Sequence, residues 1–119
     1  MCFLCRYLLP LFFVGGKGAA AAAANAACVT DKVQIVRQGN HHKFTISEDA
    51  ENLRRMLMAT GQRELVEASP VDRIWGVGFV EKEAERMRHR WGQNLLGKAL
   101  VEVRERLRGE EKAKEKKKK

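Results

Sequence analysis

Between Leu65 and Gly78 the chain places Asp72, Trp75, Gly76 and Gly78 close together. A carboxylate such as Asp72 can stabilise a developing positive centre, and an indole such as Trp75 offers a flat face to a base or sugar. Glycine lets a small ligand come close to the backbone. The same residues also have a purely structural reading. Asp72 can cap a turn begun at Ser69-Pro70, Trp75 can be a core aromatic with its N–H bonded, and the glycines can simply bend the chain. On residue chemistry alone the structural reading leads. Other reactive side chains add little. His41 and His42 are adjacent, which suits a surface turn better than a general base. Cys2, Cys5 and Cys28 all lie in the first thirty residues, and no second pair follows Cys2-x-x-Cys5 to complete a zinc site. Unpaired cysteines in an apolar leader are the favoured reading, with no metal and no cofactor.

The elements that must position the segment 65–78 can be read from patterning. Val33 to Ile46 is ambiguous: Gly39-Asn40 between short apolar runs suits a hairpin, whereas Val36, Asn40, Lys43 and Phe44 also share one side of a helix. Ser47 is a candidate N-cap, followed by Glu48, Asp49 and Glu51 at the positive end of a helix. That helix has Ala50, Leu53, Met56 and Leu57 as its stripe and stops at Gly61. Leu65-Val66 reads as a short extended segment ahead of Pro70. Val80, Ala84, Met87 and Trp91 recur at helical spacing and predict a helix over about 82–90, with Trp91 as a core anchor. Asn94 can cap a last helix whose stripe is Leu96, Leu100, Val103 and Leu107, with Arg104, Arg106 and Arg108 outward or along its edge.

The net charge of +8 is spread unevenly. Residues 1–30 carry Arg6 and Lys17 without an acid, and residues 109–119 carry six lysines against three glutamates, whereas the body between them is nearly balanced. A nucleic-acid binder concentrates basic residues on a face of its fold, so no specific nucleic-acid binding is expected of this body. Residues 1–31 form an apolar, alanine-rich leader. Its apolar run, broken by Pro10, is too short to span a bilayer and resembles either a signal peptide or a segment foreign to the domain. Residues 109–119 have no apolar side chain beyond Ala113 and predict a disordered, solvated lysine-rich tail, although four terminal lysines also suit acidic surfaces.

The motifs Glu67-Ala68-Ser69-Pro70, Asp72, Ile74-Trp75-Gly76-Val77-Gly78, then Trp91-Gly92, Asn94-Leu95-Leu96-Gly97 and Val103-Arg104 follow in that order. In order and spacing, residues 32–108 resemble the C-terminal half of the NADAR family. Gly39-Asn40, Lys43-Phe44, Leu57, Thr60-Gly61 and Leu65-Val66 extend the resemblance upstream. The resemblance implies N-glycosidic bond hydrolysis of a phosphorylated ribosyl compound, either a riboflavin-pathway intermediate or an ADP-ribosyl adduct. It implies Asp72 as the acidic catalytic group, with Trp75 and Gly76 shaping the base or ribose pocket. Lys43 would face phosphate, and Asn94, at a helix start, would help hold an anion.

The family's first-half motifs are not recognisable in residues 1–30, nor is the glutamine usual two positions after Lys43-Phe44, where Ile46 stands. The expected fold is therefore an α-rich α+β one, a NADAR-like helical fold truncated on its N-terminal side, with three or four helices around a small strand region. The expected activity is slow or absent, and the alternative is a non-catalytic nucleotide-binding or interaction fragment. An exposed apolar cut face would favour self-association. The expected location is cytoplasmic, or secreted if residues 1–30 act as a signal peptide.

Overall fold

A computed structural model describes residues 2–3 and 26–119. In chain order the elements are β1 (Cys2–Phe3), α1 (Ala26–Lys43), α2 (Ala50–Ala59), β2 (Leu65–Val66), α3 (Glu81–Ala84), a 3-10 turn over Arg88–Arg90, and α4 (Leu95–Lys118). β1 lies parallel to β2, with Cys2 opposite Leu65 and Phe3 opposite Val66. Helices dominate, as the patterning predicts. No helix among the described residues is long and apolar enough to cross a membrane.

β2 divides the interior in two because successive strand residues face opposite ways. Leu65 enters a core with Phe44, Leu57, Leu100, Val103 and Leu107. Val66 enters a second core with Val77 and Ala84, against which Phe79 and Trp91 pack. Gly97 lets α4 rest directly on β2, since a Cβ there would lie 2.1 Å from the Leu65 carbonyl oxygen.

The ambiguous stretch from Val33 is helical. α1 packs along α4, and Arg37 ion-pairs with Glu102 of α4. Phe44, at the end of α1, is 1% exposed in the first core. Burial of this face outweighs the helix penalty of Gly39, roughly 1 kcal/mol. Ser47 does not cap α2 as expected. Its hydroxyl donates to the Lys43 carbonyl at 2.6 Å and closes the end of α1, leaving Asp49 at the N-cap position of α2. Gly61 ends α2 in the left-handed region (φ 64°), as its position after the stripe predicts.

The helix expected over 82–90 is broken. In a continuous helix the Ala84 carbonyl would accept the N–H of Arg88, but here the Trp91 indole N–H donates to it at 2.6 Å. Arg88 bonds instead to Glu85 at 3.3 Å, and the chain tightens into the 3-10 turn. Trp91 is thus the anchor the spacing predicts, and its anchoring interrupts the predicted helix.

Two expectations for α4 are corrected. Arg104 faces inward, 2% exposed, and its Nη1 donates to Thr60 Oγ1 at 2.7 Å and to the Arg63 carbonyl at 2.9 Å. The chain end of α2 supplies acceptors that no helical wheel of α4 alone reveals. Nor is the segment from Gly109 a structureless tail: α4 continues through Lys118. Glu, Lys and Ala are strong helix formers, and two acids of these turns hold onto the body. Glu110 bonds His41 at 3.1 Å and Arg106 at 3.2 Å, and Glu111 pairs with Arg54 at 2.7 Å. Burial pushes the Glu110 carboxyl up, but His41 and Arg106 together bring it below its ordinary range.

Candidate functional site

The site is a loop fastened at both ends. Glu67 follows β2, and its carbonyl accepts the N–H of both Ser69 and Val77 at 3.0 Å, so residues 68–76 close on themselves. Within the loop Asp72 Oδ1 accepts the amides of Ile74 and Trp75, each at 2.9 Å. Gly76 permits the closure, because a Cβ there would stand 2.8 Å from the Glu67 carbonyl oxygen and 2.9 Å from that of Asp72. The structural reading of Asp72 is borne out: it caps a turn, and the turn holds its carboxyl in place.

The chain entering α4 then sews the loop down. The amides of Gly92, Gln93, Asn94, Leu95 and Leu96 donate to the carbonyls of Val77, Arg73, Gly76, Ile74 and Trp75 respectively, at 2.7–3.1 Å. The first turn of a helix ordinarily has free N–H groups for an anion. In α4 those of Leu95 and Leu96 are already used.

Asp72, Trp75, Gly76 and Asn94 therefore lie at one loop–helix junction. Their exposures differ. Asp72 and Trp75 are partly exposed, with Val71 and Ile74 presenting apolar surface beside them. Asn94 is only 3% exposed. Its side-chain amide donates to the Leu65 carbonyl at 2.9 Å, and its side-chain oxygen accepts the Glu67 amide at 3.1 Å. These bonds hold Asn94 in a left-handed conformation, φ 50°, and make it a strut behind the loop. Lys43 lies on a different element, in the last turn of α1, where burial lowers the pKa of its ammonium group.

Residue-by-residue reading missed one acid. Glu67 is 9% exposed, and its Oε2 is buried without a hydrogen-bond partner. Burial, and then the nearby charge of Asp72, raises its pKa above the usual carboxylate value. Glu67 thus has reason to keep a proton that a solvated glutamate would lose. The available signal was a second acid five positions before Asp72, at the end of an apolar pair. Among the described residues no group of three or more His, Cys, Asp or Glu side chains is placed to hold a metal.

Residues 18–108 match the NADAR domain, and the chain belongs to that family. The match begins within the leader, ahead of the boundary expected at residue 32. The chain is 43% identical over 76 residues to N-glycosidase R617 of Acanthamoeba polyphaga mimivirus, covering 62% of this chain and 43% of that protein. It is 35% identical over 117 residues to N-glycosidase Npun_R5314 of Nostoc punctiforme, covering 81% of this chain and 67% of the relative. To N-glycosidase YbiA of Escherichia coli it is 37% identical over 76 residues, covering 64% and 40%. The chain thus spans about two fifths of the mimivirus and bacterial YbiA relatives.

Proposed function

We propose that this chain is an N-glycosidase acting on a phosphorylated ribosyl compound, with Glu67 as its acid–base group and Asp72 as the carboxylate that stabilises the ribosyl cation. The observation that carries the proposal is the contrast between the two carboxyl groups. Glu67 is buried, lacks a partner for Oε2 and is pushed toward its protonated form, while Asp72 is partly exposed and fixed by two amides. Two carboxyls in unlike environments divide the labour of glycosidic cleavage. The N-glycosidase names of the relatives support the same reaction class.

In the proposed reaction the bond between the ribose anomeric carbon and the base nitrogen breaks, and its electron pair leaves with the base. Glu67 protonates the departing base, and the Asp72 carboxylate faces the cationic ribosyl carbon. Water adds to that carbon, and its proton returns to the Glu67 carboxylate. Trp75 offers a face for the base, Gly76 keeps the loop closed beneath it, and Lys43 supplies the cation for phosphate. Asn94 acts through Glu67, whose backbone it fixes, and not on the substrate.

The test is release of free base from a ribosylated pyrimidine phosphate by the full chain. The proposal expects Glu67→Gln and Asp72→Ala each to lower turnover by roughly 100-fold or more. Equal turnover in the wild type and both variants would overturn the roles given to Glu67 and Asp72, and turnover in none would leave a nucleotide-binding fragment as the better reading.

A further inference from the structure

The last turns of α4 carry a second feature, unrelated to the loop. The acids nearest the body are engaged there: Glu110 with His41 and Arg106, and Glu111 with Arg54. Lys112 and Lys116, four positions apart, fall on one side of the helix, Lys119 follows at its C-cap, and all three are exposed. Glu115 borders this row and offsets one charge, and the remaining lysines of these turns are also exposed. The ion pairs draw Glu110 and Glu111 toward the body, while Glu115 and the six lysines face solvent.

We infer that this lysine row docks on the phosphate backbone of a nucleic acid, independently of its sequence. The chemistry of the segment selects that partner. From Gly109 onward its only apolar side chain is Ala113, so it has no face to bury in a bilayer and no aromatic or aliphatic anchor for a protein groove. A phosphate backbone needs neither, since it is bound by cations that displace its counterions. Lysine is a point charge without the bidentate fork that reads guanine, so contacts of this kind position without specifying a base. At the α-helical rise, Lys112 and Lys116 are about 6 Å apart along the axis. That is on the order of two base-pair steps of a duplex.

The experiment measures anisotropy of a fluorescein-labelled DNA duplex of arbitrary sequence against the full chain, between about 50 and 200 mM salt. Two triple variants remove equal charge: Lys112→Gln/Lys116→Gln/Lys119→Gln in the row, and Lys32→Gln/Lys82→Gln/Arg86→Gln on the body. Circular dichroism checks that both keep their helices. The row variant is expected to lower the slope of log affinity against log salt by about 2.7, the body variant to keep the wild-type slope, and a scrambled duplex to bind equally. The inference is overturned if the wild type does not bind at the lowest salt, or if both variants lose the same slope. Tighter binding to phosphatidylserine vesicles than to the duplex would overturn it as well.

Discussion

Asn94 and Glu67, twenty-seven positions apart, are joined where the side-chain oxygen of Asn94 accepts the Glu67 backbone amide at 3.1 Å. The same side chain donates to Leu65 two positions earlier, so one amide group holds the exit of β2 against the entry of α4. The acid that we assign to proton transfer is therefore positioned by a residue that never needs to touch substrate.

Replacing Asn94 tests that strut. Asn94→Ala leaves the Leu65 carbonyl and the Glu67 amide buried without partners and puts a residue with no polar side chain at φ 50°. A loss of roughly 2–4 kcal/mol is expected in urea unfolding. Asn94→Asp keeps the acceptor but loses the donor, and should fall between the wild type and Asn94→Ala. A stability unchanged in both would mean that the bonds contribute nothing net.

Arg104 gives a prediction whose order of effects is informative. Arg104→Met removes the buried charge together with its bonds to Thr60 and Arg63, and should cost about 1–3 kcal/mol. Arg104→Lys keeps a buried charge but cannot reproduce the guanidinium fork, and should cost at least as much. A lysine variant as stable as the wild type would show that charge alone, not geometry, is required.

The raised pKa of Glu67 has a consequence for stability. A group that holds its proton more tightly when folded contributes stability below its unfolded pKa, and that contribution is lost as pH rises through its folded pKa. As pH rises above the ordinary glutamate value the wild type therefore loses stability relative to Glu67→Gln, which has no buried carboxyl to titrate. Thermal unfolding should show Glu67→Gln melting higher than the wild type at about pH 7–8, with the difference shrinking toward about pH 4. A difference that is the same at all pH values would contradict it.

Much of this arrangement was legible in the sequence, and the exceptions share a cause. The extended pair Leu65-Val66, the stop at Gly61, the Trp91 anchor and the apolar stripe of α4 all follow from local patterning. What local patterning could not supply was a partner distant in sequence. Asn94 looked like a helix cap until Leu65 and Glu67 were seen to occupy its amide. Arg104 looked exposed until Thr60 and Arg63 received it. Glu67 looked like an ordinary motif acid, because the burial that chiefly raises its pKa depends on the packing of β2, and the smaller effect of Asp72 depends on the folding back of the loop. The helical turns beyond Gly109 depend in the same way on His41 and Arg54.

The central claim is that Glu67 delivers a proton to the leaving base, and the pH dependence of kcat/KM for base release tests it most directly. The account predicts a rate that stays high while Glu67 is protonated and falls as pH rises through a midpoint above the ordinary glutamate value. In Glu67→Gln that falling limb should be absent from whatever residual rate remains. A wild-type profile that is flat across this range, or the same falling limb in Glu67→Gln, would contradict it.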